Sequence, residues 1–143
     1  MQSKLIKIAL IGKSNVGKST FINAVTNEKI SIVNKKINTT QDLITGIVNK
    51  NNSQLVFYDT PGSNYLINKN SKNNFKNLLW EAINLADCIL YIIDSQKYKY
   101  DSTVNDLKKI NETNKPIFVI FNKIDKIENK IIIPFIKDLN SLD

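Results

Sequence analysis

A three-layer α/β domain, with helices on both faces of a mostly parallel sheet, is the fold class that this sequence predicts. Three observations carry the prediction. Apolar runs of strand length alternate with segments of helical periodicity along the chain. The joining segments are short, without repeats or long linkers. One pair of runs is separated only by the polar turn "NKNNS", which makes a hairpin and hence one antiparallel edge strand. At 143 residues the chain is a single domain, able to bury roughly two-thirds of its unfolded surface.

The elements follow in order. Residues 4–11 are mostly apolar, as a parallel strand covered on both faces should be. "KSTFINAVTN" then predicts a helix with Phe21, Ile22 and Val25 inward. The hairpin strands are "LITGIV", 43–48, and "QLVFY", 54–58. "NNFKNLLWEAINLA" places Phe75, Leu78, Leu79, Ala82 and Ile83 on one helical stripe, leaving Trp80 as a packing or surface residue. Strand "CILYIID" leads to a helix near 101–113, then to strand "PIFVIF", opened by Pro116. A last helix is expected over 131–140, with Pro134 in its first turn. Parallel strands imply right-handed crossovers, and ligands in such sheets sit at the carboxyl ends of the strands.

Composition excludes several chemistries. There is no histidine, so imidazole acid–base catalysis and zinc-protease sites are out. Cys88 is the sole cysteine, which rules out an internal disulfide or a cysteine metal cluster and reads as a buried structural thiol. "LIKIALIG" is too short, and too interrupted by Lys7, to span a membrane, and it lacks a signal-peptide cleavage site. The expected address is the cytoplasm. The net charge of +7 comes entirely from lysines scattered without interleaved aromatics. Because Lys, Asn and Ile share A/T-rich codons, this excess reads as compositional background rather than an RNA-binding face.

Against that background the polar motifs stand out. "GKSNVGKS", Gly12 to Ser19, has the P-loop spacing between a strand and a helix. Gly12 and Gly17 permit a tight loop whose N–H groups turn toward phosphate oxygens, aided by the helix N-terminus. Lys18 reaches the β- and γ-phosphates, and Ser19 offers a hydroxyl to Mg²⁺. "DTPG" ends the third apolar run: Asp59 would be a second Mg²⁺ ligand, and Gly62 would give its N–H to the γ-phosphate.

"NKID" follows strand "PIFVIF". The Asp125 carboxylate can accept from N1–H and the exocyclic amine of guanine, whereas adenine offers neither donor. Asn122 would tie the base edge to the P-loop, and Lys123 would cover the ring face. Between the P-loop helix and "DTPG" lies the soft segment "NKKINTTQDLITG". There Thr40, in preference to Thr39, could reach Mg²⁺ and the γ-phosphate in a loop free to order and release. The expected nucleotide set is therefore Gly12, Lys13, Ser14, Asn15, Val16, Gly17, Lys18, Ser19 and Thr20, then Asp59, Thr60, Pro61 and Gly62, then Asn122, Lys123 and Asp125. Lys18, Thr40 and Gly62 are the expected catalytic groups, with Ser19, Thr40 and Asp59 on Mg²⁺.

"GKSNVGKST", "KISIVNKKINTTQDLITGIV", "DTPG" and "NKID" together resemble the G domain of the Era family of bacterial GTPases. The resemblance covers most of the chain and implies a P-loop NTPase fold. It further implies hydrolysis of GTP to GDP coupled to small ribosomal subunit assembly, an rRNA partner bound through a KH domain, and peripheral membrane association. A monomer without stable membrane insertion is expected. Asn15 matches a P-loop asparagine that accompanies K⁺-stimulated hydrolysis in related GTPases, and a chain without arginine offers no arginine finger in cis.

Two residues depart from the family pattern. Gln41 stands where the family usually has Arg, and Ser63 where a hydrophobic residue usually follows "DTPG". Neither is the catalytic glutamine of Ras-like GTPases, so slow intrinsic turnover is expected. Only residues 126–143 follow "NKID", so a G domain lacking its last strand and helix, and lacking a KH domain, is expected here. The open alternatives are a tRNA-modification or other ribosome-assembly GTPase, or a remnant binding nucleotide without efficient turnover.

Overall fold

In a computed structural model of the chain, residues 4–26, 44–66 and 74–141 are described. Five strands form one sheet: β1 (Lys4–Ile11), β2 (Ile44–Lys50), β3 (Ser53–Asp59), β4 (Cys88–Asp94) and β5 (Ile117–Asn122). Their order is β2-β3-β1-β4-β5, antiparallel only at β2–β3. The hairpin turn holds Asn51 at φ 53, a left-handed conformation that asparagine tolerates. Among the described residues the four α-helices are α1 (Lys18–Thr26), α2 (Asn74–Leu85), α3 (Tyr100–Asn111) and α4 (Asn129–Asn140). The predicted class, a mostly parallel α/β sheet with one antiparallel edge strand, is the observed one.

The sheet buries two apolar layers. On one face Ile22 of α1 packs with Ile8, Leu10, Phe57 and Ile92, supported by the half-buried Phe21 and Val25. On the other, Leu79, Ala82 and Ile83 of α2 and Ile110 of α3 pack on Ala9, Ile11, Tyr58, Ile89, Tyr91 and Ile93. Alternate residues of β1 thus serve opposite faces, which is why that strand reads as a continuous apolar run. Gly46 of β2 lets α1 approach closely, since a Cβ there would lie 2.9 Å from both Ile22 and Thr26 side chains. At the far end of α2, the Lys115 ammonium donates to the carbonyls of Asn84 (2.7 Å) and Ala86 (2.5 Å). A cation there satisfies carbonyls that no helical N–H reaches.

Three expectations change. Phe75 does not join the buried stripe: it is 48% exposed and packs on Tyr65, 5.4 Å between ring centres. It sits in the first turn of α2, beyond the sheet that buries the later turns. Cys88 is half-buried rather than buried, at the start of β4; burial and the neighbouring Asp87 push its thiol pKa up, which keeps it unreactive. α4 begins at Asn129, so Pro134 lies inside the helix and not in its first turn. The lost donor is tolerable because α4 is a surface helix with no fully buried residue, held through Phe135 stacking with Tyr98 and Phe121.

Ile83 is fully buried where α2 meets β1 and β4. Ile83→Ala should therefore cost about 2–5 kcal/mol, read as a lower urea midpoint at unchanged slope.

Candidate functional site

Strand register gathers the motifs at one rim. β1 ends at Ile11, β3 at Asp59, β4 at Asp94 and β5 at Asn122. Leu10 pairs with Asp59, so β1 and β3 end within one residue of each other, while β4 and β5 run on past Ile11, which pairs with Tyr91, to the level pair Asp94 and Asn122. β1 is also where the chain order reverses across the sheet, the position at which open α/β sheets bind ligands.

The loop from Gly12 to Gly17 leaves β1 and feeds α1. Gly17 has φ +101, and a Cβ there would collide with the Asn122 amide. At Gly12 a Cβ would collide with the Ile92 carbonyl and lie 2.9 Å from Val16. Neither position admits another residue. α1 starts at Lys18, so its unpaired N–H groups face the loop. Lys18 is itself buried, and its Nζ donates to the carbonyls of Gly12 (3.1 Å) and Lys13 (3.0 Å). Burial lowers its pKa while the Asp59 charge opposes the shift. A cation held by neutral carbonyls is poised for an anion. The Lys13 side chain turns elsewhere, donating to Ser102 Oγ of α3 at 2.7 Å, so only its backbone is available to phosphate.

Ser19 Oγ donates to Asp59 Oδ2 at 2.7 Å. With its proton committed to the carboxylate, the hydroxyl turns lone pairs outward. No cluster of three or more His, Cys, Asp or Glu occurs among the described residues. A hydroxyl, one carboxylate, and oxygens from phosphates and water form a donor set that fits Mg²⁺, which rarely uses an all-protein cage.

The "DTPG" loop is pinned against the P-loop. Thr60 is buried and donates Oγ1 to the Leu10 carbonyl at 2.6 Å, so its hydroxyl holds the loop rather than a ligand. Ser63 N–H donates to the Gly12 carbonyl at 2.9 Å. A Cβ on Gly62 would lie 2.7 Å from Ser14 Oγ.

The "NKID" loop is stitched to the same place. Asn122 Nδ2 donates to the Val16 carbonyl at 2.8 Å, and Lys123 Nζ to the Asn15 carbonyl at 2.9 Å. Lys123 also pairs with Asp94 Oδ2 at 2.8 Å and takes a left-handed φ of 59. Its stem therefore runs from β5 to the P-loop. Asp94 is 4% exposed; burial would raise its pKa, but Lys123 and the Gln96 N–H outweigh that and hold it low. Asp125 stands exposed in the short 3-10 turn Ile124–Lys126. Asn15 is exposed at φ 62, with Thr20 on the exposed side of α1 and Pro61 half-exposed. Thr39 and Thr40 lie outside the described residues.

The sequence reading passed over Asp94, though it closes an apolar strand at the rim where ligands bind; that position was the available signal. A groove of about 660 Å³ lies elsewhere, between α3, β5 and α4, and is lined mainly by apolar side chains.

The pattern of a family described as "50S ribosome-binding GTPase" matches residues 7–123. The chain belongs to that family. GTPase Era of Buchnera aphidicola is 45% identical over 136 residues, covering 92% of this chain and 47% of the relative. The crystal structure of Era in complex with MgGDPNP and a segment of 16S ribosomal RNA superposes with a TM-score of 0.75 at 32% identity, over 98% of this chain and 48% of that one. An Aquifex aeolicus Era variant bound to GDP·AlF₄⁻ gives 0.71 at 34% identity, over 96% and 47%. The Era resemblance carried by the motifs holds along almost all of the chain, which spans about half the length of the curated relatives it matches.

Asp94→Ala would leave the Lys123 ammonium without its buried partner. Guanine-nucleotide affinity should fall about tenfold or more, as expected for loss of a charged hydrogen bond, in a fluorescent-GDP titration.

Proposed function

We propose that this chain binds GTP and hydrolyses it to GDP and phosphate, as an Era-type cytoplasmic switch in small ribosomal subunit assembly. The observation that carries this reading is the pair of bonds from Asn122 and Lys123 onto P-loop carbonyls. They tie the "NKID" loop, read here as the base-contacting loop, directly to the phosphate loop. Among the described residues no helix is long and apolar enough to cross a membrane.

Each group then has a task. Backbone N–H groups from Lys13 to Ser19 and the start of α1 neutralise the β- and γ-phosphates, with Lys18 adding a full charge. Ser19 and Asp59, with Thr40, would hold Mg²⁺, which when bound screens the repulsion between phosphate oxygens. Gly62 N–H serves the γ-phosphate, and Asn15 would help hold K⁺. The Ser63 hydroxyl donates to Asp106 and so does not orient water, which supports the expectation of slow intrinsic turnover. The solved Era relative held with 16S ribosomal RNA supports RNA as the partner of the whole protein.

A fluorescent-GDP titration with Mg²⁺ should saturate and be competed by GDP but not ADP. Absence of guanine-specific binding at micromolar, verifiably folded protein would overturn the reading. Asp125→Asn should move preference from guanine to xanthine by about a hundredfold or more, because the amide donates where xanthine carries a C2 carbonyl.

A further inference from the structure

The residue that departs from the family pattern after "DTPG" sits in an unusual place. Ser63 is 0% exposed, and its Oγ donates to Asp106 Oδ2 of α3 at 2.7 Å. Tyr91 of β4 donates its phenol to the same oxygen at 2.6 Å. Asp106 is 3% exposed and Tyr91 is 2% exposed. Two hydroxyls from different elements thus converge on one carboxylate oxygen in a dry interior. The same Ser63 sends its backbone N–H to the Gly12 carbonyl at 2.9 Å. One residue ties the "DTPG" loop to the P-loop through its backbone and to α3 through its side chain.

A buried carboxylate is costly without donors, and a charge-assisted hydrogen bond is strong where water is excluded. Asp106 therefore holds Ser63 firmly. Gly62, the neighbouring residue, has room against Ser14 only because it lacks a Cβ. Any excursion of this loop must pull Ser63 away and leave Asp106 with one hydroxyl fewer.

We propose that Ser63, Asp106 and Tyr91 form a buried latch that fixes Gly62 over the P-loop, making them positioning residues for the γ-phosphate. The proposal rests on the guanine-nucleotide reading above. The latch discriminates GTP from GDP without touching either. With the loop already in place, its ordering is not charged to the nucleotide that needs Gly62, which is the triphosphate. GDP gains nothing from it.

The test compares a non-hydrolysable GTP analogue with GDP, by competition against fluorescent GDP on the full 143-residue chain. Ser63→Ala should weaken the analogue about five- to tenfold relative to GDP, as loss of preorganisation predicts. Asp106→Asn keeps an oxygen acceptor but loses the charge assistance, so its ratio should fall between those of the parent and Ser63→Ala. If Ser63→Ala does not fold, the apolar triple variant Ser63→Ala, Asp106→Leu, Tyr91→Phe should fold and show the same altered ratio. An unchanged analogue-to-GDP ratio in Ser63→Ala, or in the triple variant where Ser63→Ala does not fold, overturns the latch. Absence of GDP binding by the parent overturns the function reading instead.

Discussion

Two side-chain donors from the end of β5 reach carbonyls of the loop after β1, and the site depends on those bonds. Asn122 and Lys123 are more than a hundred residues from Val16 and Asn15 in the chain, yet their hydrogen bonds are 2.8 and 2.9 Å long. They occupy carbonyls that a tight glycine loop would otherwise leave to water. They also explain Gly17, whose missing side chain is the space that the Asn122 amide fills. Lys123 adopts a left-handed backbone to make its bond, a strained choice for a side chain with a Cβ. The ion pair with Asp94 offsets that strain and keeps the ammonium from turning to solvent.

Buried charge is handled in three ways around this rim. Asp94 is neutralised by a cation and a backbone N–H. Asp106 is held by two hydroxyls from separate elements. Lys18 rests on two carbonyls, and the Asp59 charge opposes but does not cancel the cost of its burial. The uneven treatment fits the assignments: two carboxylates hold structure together, while the lysine stays available to an anion.

Local patterns in the chain were readable wherever one segment decides its own geometry. The apolar runs of β1, β4 and β5 and the hairpin turn at Asn51 depend on neighbours a few residues away. So does the loop from Gly12 to Lys18, where spacing sets the turn into α1. The failures share a cause. Phe75 keeps helical spacing with Leu79 and Ile83, but the sheet ends before its turn. The Lys13 side chain, within the P-loop in sequence, is drawn away by Ser102 of α3, which only the packing of that helix decides. Asp106 shares the inward stripe of α3 with Thr103 and Ile110, a hint that periodicity contained and that was not weighed.

The sequence by itself determined an α/β sheet, a glycine loop with P-loop spacing and the "NKID" tetrapeptide at a strand end, because each is a matter of short-range spacing and backbone preference. Tertiary structure alone decided that these pieces share one rim and that Asp94 anchors Lys123. It alone brought Ser63 and Tyr91 to a common oxygen of Asp106. Those relations join residues remote along the chain, and their energies arise only when packing removes the water between them.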